Sequence, residues 1–352
     1  MLFDLSIVIP TCNRESTLND TLQSLIKSKI LESNVECIVI DNGSTDTTRA
    51  VVKSIALHAP FPIRYVYEPC PGLHVGRNLG AVLAKGDILS YLDDDVFVQH
   101  GWAEAVRACF DSDPAVMIAG GPCRPHWEGG DPPAWIERFR QPVGKGWTIP
   151  VLSLIDLGSE PHAISGLYVY GCNFSIRRQF VLDSGGFHPD GMPKEFLRYR
   201  GDGESAMGMK VDADPGLITA YAPDAVVLHR VPVSRLSRQY IQSVVKRNGI
   251  GQAYTAFREC GALSPNAVKK ALMLGIACMK SLSRYAASMG KNFLDRNVDP
   301  GPEEYYLANF WAFFHFLRIC ISPELRKWVG QKSYLPGSPC PYASMTKRAE
   351  NG

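Results

Sequence analysis

Short apolar runs alternate with amphipathic stretches through the first hundred residues. Leu5-Ser6-Ile7-Val8-Ile9 reads as a buried strand stopped by Pro10. Leu18, Leu22, Leu25 and Ile26 then share one helical face, and Ser16 or Thr17 can cap that helix. Residues 37–40 form a second apolar run, ending in Asp41-Asn42-Gly43-Ser44, and a helix with Val51, Val52 and Ile55 inward follows. Residues 63–67 read as a third strand. Residues 75–85 read as a third helix, closed by Gly86 in the left-handed stop position. Ile88-Leu89-Ser90-Tyr91-Leu92 is the fourth strand, and it runs into Asp93-Asp94-Asp95. Strand–helix alternation with near-continuous apolar strands predicts an α/β fold: a mostly parallel sheet flanked by helices.

The pattern changes after residue 120. Residues 120–150 are rich in Gly, Pro and Trp, which reads as a long functional loop. Strand patterns return at 171–176 and at 226–228, the latter ending at His229. From Ser234 the chain is helical, basic and amphipathic, so a boundary near residue 232 separates a catalytic region, 1–232, from a C-terminal helical region, 233–352. The tail from Gly337 reads as loose.

Composition narrows the function classes. With 45% hydrophobic and 20% charged residues and a formal net charge of +2, the chain is globular and gives no reason to expect nucleic acid as a partner. Ten cysteines without a C-x-x-C pair suit a reducing compartment rather than a disulfide set or a zinc site. The N-terminus runs straight into a strand, which reads as no export signal. The apolar stretch 305–321 is broken by Asn309, His315 and Arg318 and falls short of the ~20 residues a spanning helix needs. The expected location is cytoplasmic, with peripheral contact on the cytoplasmic face of a membrane left open.

Three adjacent carboxylates repel one another and call for a counter-charge; hard oxygen ligands suit Mg(II), Mn(II) or Ca(II). A solvated acidic turn is the plain alternative. Four strand ends carry polar groups in order: Pro10-Thr11-Cys12-Asn13-Arg14, Asp41 to Asp46, Gly76-Arg77-Asn78-Leu79-Gly80 with the following Lys85-Gly86-Asp87, and the Asp triplet. Together with residues 171–175 and 201–229 they resemble the family 2 glycosyltransferases with the GT-A fold.

That resemblance implies roles. Asp41 would accept the imide N–H of a base such as uracil, with Pro10, Thr11 and Asn13 beside it; otherwise Asp41 caps a helix near Ser44. Arg77 would meet a diphosphate or steady a carboxylate. Asp93 and Asp95, on one side of an extended strand, would hold Mn(II) or Mg(II) with His229, while Asp93 and Asp94 reach donor groups. Gly201-Asp202-Gly203-Glu204 matches the acidic motif of the acceptor base, with Asp202 as base and Glu204 as supporting acid. Gly201 stands where the family commonly has an acid, and Lys210 is the nearest basic residue to a displaced arginine. Trp127 and Trp135 could form a platform for an acceptor sugar or pack under a lid, and Asn173 would touch donor sugar or acceptor.

The implied activity is an inverting, metal-dependent transfer of a sugar from a nucleotide donor, UDP-linked by expectation, to a hydroxyl on a saccharide or lipid-linked acceptor. A non-catalytic nucleotide-sugar sensor or scaffold is the alternative on the same fold. A nucleotidyltransferase ranks lower because residues 9–14 contain no glycine, and Gly-x-x-x-x-Gly-Lys-Ser/Thr is absent. The stretch 267–285, with Lys269, Lys270, Lys280 and Arg284, could lie on a bilayer, pack on the catalytic region or form a dimer contact.

Overall fold

The structure, a computed structural model, describes residues 3–28, 34–260, 265–289 and 299–340. Its opening half is the expected alternation: β1 (Leu5–Thr11), α1 (Glu15–Lys27), β2 (Val35–Asp41), α2 (Thr48–Ala56), β3 (Ile63–Tyr67), α3 (Leu73–Leu83) and β4 (Ile88–Leu92). Then come β5 (Val96–Val98), α4 (Trp102–Ser112), β6 (Val116–Gly120) and β7 (Cys123–Trp127). They are followed by β8 (Gln141–Val143), β9 (Gly146–Ile149), β10 (Leu154–Asp156) and β11 (His162–Ile164). Next come β12 (Asn173–Arg177), α5 (Arg178–Asp183), α6 (Ser205–Asp212), β13 (Ile218–Tyr221) and β14 (Val227–Val231). Helices α7 (Arg238–Cys260), α8 (Pro265–Met289), α9 (Tyr306–Ile321) and α10 (Pro323–Val329) complete the described residues.

The main sheet has the order β11-β13-β6-β12-β4-β1-β2-β3. Strands β3, β2, β1 and β4 are parallel, whereas β12 runs antiparallel between β4 and β6. The apolar residues of β1, β2 and β4 are buried on both faces. One face packs on α1, α2 and α4, and the other on α3, α5 and α6. That is why these strands read as continuous apolar runs.

Several expectations need correction. The segment 120–150 is not a loop but supplies β7, β8 and β9 to a second, six-stranded sheet, β5-β14-β7-β10-β9-β8. Strand β7 pairs in parallel with β14, about a hundred residues later, so nothing local announces it. Helix α1 begins at Glu15 without a side-chain cap from Ser16 or Thr17. Helix α3 spans Leu73–Leu83 and ends on an extended Ala84, so Gly86 is not its left-handed stop. His229 lies inside β14, not at its end.

The helices beyond residue 232 share cores with the rest of the chain. Ile241, Val244 and Val245 of α7 pack with Ile136, Phe139 and Leu154 of the second sheet and its connections. The tail also contributes: Tyr334 and Cys340 pack with Tyr199 and Trp328, so 337–340 is not loose, while 341–352 lie outside the described residues.

Candidate active site

The loops that follow β1, β2 and β4 bound a cleft of about 300 Å³ whose lining includes Pro10, Thr11, Cys12, Arg14, Asn42, Asp93, Asp94, Asp95 and Arg235. The acidic triplet is not extended: Asp94 and Asp95 form the turn between β4 and β5, so the two-residue alternation does not govern it. Two arginines hold this turn. Arg14 Nη1 donates to Asp94 Oδ1 (2.7 Å) and Asp95 Oδ2 (3.0 Å), and Arg235 Nη2 donates to Asp95 Oδ2 (2.7 Å). Thr11 Oγ1 donates to Asp94 Oδ2 at 2.7 Å. Burial lifts the Asp94 carboxyl to about 6 against the opposing pull of Arg14. At Asp95, burial is outweighed by His229, Arg235 and Arg14, which keep that carboxyl below the usual range.

Strand β14 brings the third ligand-bearing residue. It lies antiparallel to β5 with His229 opposite Val96, next to the acidic turn. His229 Nδ1 faces the Leu152 carbonyl at 3.0 Å and donates to it, while Nε2 lies 3.0 Å from Arg235 Nη1. Ligand atoms of Asp93, Asp95 and His229 lie within 4.8 Å of one another. Asp95 Oδ1 is buried without a hydrogen-bond partner, 3.6 Å from His229 Nε2. An orphaned carboxylate oxygen beside an imidazole nitrogen and a second carboxylate is a donor set that fits a divalent cation.

Behind this triad lies Arg77, almost completely buried in α3. Its Nη2 donates to Asp93 Oδ1 (3.0 Å) and to the Gly171 carbonyl (2.8 Å), while Nη1 stands 3.4 Å from Glu204 Oε2. Of the two expectations for Arg77, the structure shows the carboxylate one: its fork joins Asp93 to Glu204 and does not line the cleft. A Cβ on Gly171 would come within 2.5 Å of Glu204 Oε1 and 2.6 Å of Arg77 Nη2, so these side-chain ends would have to shift to admit one. His74 Nε2 adds a 2.9 Å contact to the same Glu204 oxygen. Burial raises the Glu204 pKa, but Arg77 and His74 outweigh it and hold the group below the usual carboxylate range.

The two acids of the 201–204 segment diverge. Gly203 takes a positive φ of 55° between them, a conformation a side chain would strain, and it turns Asp202 away from Glu204. Asp202 has its oxygens occupied: Oδ1 meets His188 Nδ1 at 2.5 Å and Oδ2 accepts from Thr255 Oγ1 of α7 at 2.6 Å. Its side chain is 8% exposed against 24% for Glu204. The expected base therefore ties the segment before α6 to α7, and the expected helper is the acid joined through Arg77 to Asp93.

Residues 6–152 match the model of glycosyl transferase family 2. This first part of the chain, under half of its length, is similar to glycosyl transferase family 2. It is 30% identical over 210 residues to validoxylamine A glucosyltransferase of Streptomyces hygroscopicus subsp. limoneus, covering 53% of this chain and 44% of that protein. It is 32% identical over 134 residues to the succinoglycan biosynthesis protein ExoM of Rhizobium meliloti, covering 38% of this chain and 43% of that one. The chain thus spans somewhat less than half the length of these relatives. A solved mannosyltransferase of Pyrobaculum calidifontis, in complex with GDP-Man and Mn2+, superposes over 99% of this chain and 86% of its own with a TM-score of 0.51 at 17% identity, a likeness of fold. The fold is GT-A.

The remaining expected residues fall in different places. Pro10 and Thr11 line the cleft, but Asn13 turns outward, where Oδ1 accepts from the Thr45 amide at 2.8 Å. Asp41 is 1% exposed; Oδ1 accepts from the Ser44 amide and Oδ2 from the Tyr65 hydroxyl, so it shapes the β2–α2 loop and its neighbour Asn42 faces the cleft. Asn173 is likewise interior: it accepts from Trp102 Nε1 at 2.9 Å and donates to the Ala225 carbonyl at 2.7 Å, which locks β12 to α4 and the approach to β14 rather than meeting a sugar. Trp127 and Trp135 pack against the core of the second sheet, Trp135 edge-on to Phe139, as packing residues do. The sequence reading missed Arg235, His74, His188 and Thr255. Arg14 was legible as a member of the first strand-end motif; the others have no local signal.

Proposed function

We propose that this chain transfers a glycosyl group from a nucleoside-diphosphate sugar to a hydroxyl, with inversion, using a divalent cation held by Asp93, Asp95 and His229 and Glu204 as the acceptor base. The observation that carries this reading is the convergence of Asp93 and Asp95, which line the cleft, with the buried His229 and an orphaned Asp95 oxygen. When bound there, a divalent cation supplies positive charge to the departing diphosphate, worth several kcal/mol. Arg14 and Arg235 balance the carboxylates of the turn, and Arg14, with its side chain 43% exposed, is free to lean toward a diphosphate once the turn has another counter-charge. Arg77 and His74 keep Glu204 ionised and aimed; an ionised carboxylate can take the proton of an incoming hydroxyl.

The GDP-Man named with the similar mannosyltransferase supports a nucleotide sugar in general. A UDP-sugar with Mn(II) remains the proposal, with a saccharide or lipid-linked hydroxyl as acceptor. The test is a thermal-shift screen of UDP- and GDP-sugars with and without Mn(II), followed by turnover measurements. A stabilising donor that requires the metal and is consumed supports the reading. Metal-independent binding with no consumption on any acceptor would point instead to a sensor.

A further inference from the structure

The surface formed by α8 and α9 is apolar where a solvent-facing helix pair should be polar. Val268, Leu272, Ile276 and Met279 of α8 are between 48% and 72% exposed. At 3.6 residues per turn they fall in one arc of about 80°. Phe314, Leu317 and Ile321 of α9 form a second exposed apolar line, 36% to 79% exposed. The two lines adjoin, because the helices meet at a seam where Gly275 of α8 lies against the Phe313 ring and Asn309 Nδ2 donates to Ser281 Oγ at 2.8 Å. Surface apolar residues scattered singly are ordinary; seven on two touching helices are not.

Charge frames the strip on both sides. Neither α8 nor α9 contains an Asp or Glu. Lys269, Lys280 and Arg284 of α8 occupy the arc next to its apolar line, and none of them makes an ion pair among the described residues. On the far side of α9, beyond Phe314, a groove of about 290 Å³ is lined by Lys194, Arg198, Lys246 and Arg318 against the single acid Glu195. Trp311 forms part of that groove, and the Lys246 ammonium sits 4.4 Å from its ring centroid.

We propose that α8 and α9 lie on an anionic lipid bilayer, their apolar strip dipping into the interface and the flanking cations meeting lipid phosphates. An apolar stripe bordered by cations is the pattern of interfacial helices, and at about 37 Å (25 residues at ~1.5 Å each) α8 is long enough to lie across many headgroups. None of the described helices is long and apolar enough to cross a membrane, so this contact is one of lying on, not spanning. This inference does not depend on the catalytic reading.

The test is co-sedimentation of the full chain with vesicles of phosphatidylcholine alone and of phosphatidylcholine with roughly a third phosphatidylglycerol, at about 0.1 M salt. Binding to the anionic vesicles, weakening as salt rises, is expected. Leu272→Glu with Met279→Glu should lower the partition at least tenfold, and replacing Lys269, Lys280 and Arg284 by Gln should lower it about fivefold per charge removed. A thermal shift with nucleotide and Mn(II), unchanged in both variants, shows that the fold and the cleft are intact. Absence of sedimentation with either vesicle, or equal binding to both, overturns the proposal. So does light scattering that finds a stable dimer broken by the same Glu substitutions, which would assign the strip to a second copy of the chain.

Discussion

Replacing Glu204 and Asp202 separately decides which of the two acids serves as base. Glu204→Gln keeps the side chain's size but removes the charge that Arg77 and His74 hold 3.4 and 2.9 Å away. If Glu204 takes the acceptor proton, turnover should fall by roughly 10²–10⁴ with donor affinity nearly kept, since loss of a positioned base carries that factor. Asp202→Asn acts elsewhere. It weakens two hydrogen bonds to a buried carboxylate, from His188 and Thr255, each worth about 1–3 kcal/mol when one partner is charged. It should therefore lower the melting temperature by roughly 2–8 °C and leave the turnover of the remaining folded enzyme within about tenfold of the original. Nucleoside diphosphate release with and without acceptor, measured beside thermal melts, separates the outcomes. Asp202→Asn with an unshifted melt and a loss of 10² or more, together with an active Glu204→Gln, would refute the assignment and return the base to Asp202.

Asp95→Asn and His229→Gln should each remove Mn(II)-dependent donor binding, and chelation of metal from the unmodified protein should mimic them in calorimetry. Gly171→Ala places a methyl group against Glu204 and Arg77, so it should cost about 1–3 kcal/mol of stability and reduce turnover more than donor affinity, read from kinetics and melts together. The pH dependence of stability should show His188. Burial lowers its pKa below 6.5 despite Asp202, so the folded state binds fewer protons than the unfolded one; the stability it contributes is complete above pH 6.5 and is lost as pH falls through its folded value. Urea denaturation from pH 7.5 to 5 checks this, and His188→Asn should flatten that slope. Asp202 and Glu204, both lowered, contribute stability above their unfolded values of 3.8 and 4.5, so their loss is confined to more acidic solution.

The sequence by itself determined the parallel half-sheet of β1 to β4, the order of its strand-end motifs and the acidic turn. Each of these is local: a buried strand writes itself as an apolar run, and a loop at its end follows directly. Only the tertiary structure decided what those motifs do. The second sheet joins β7 to β14 across about a hundred residues, and that pairing sets His229 beside the triplet. Arg77 reaches Glu204 and Arg235 reaches Asp95 through contacts more than a hundred residues apart in the chain. Asp41, Asn173 and Asp202 have the right residue types for a binding site, yet burial gave their polar atoms to Tyr65, Trp102 and His188. Whether a carboxylate faces a cleft or closes a loop depends on which donors fold against it, and such donors come from segments that no local pattern can bring together.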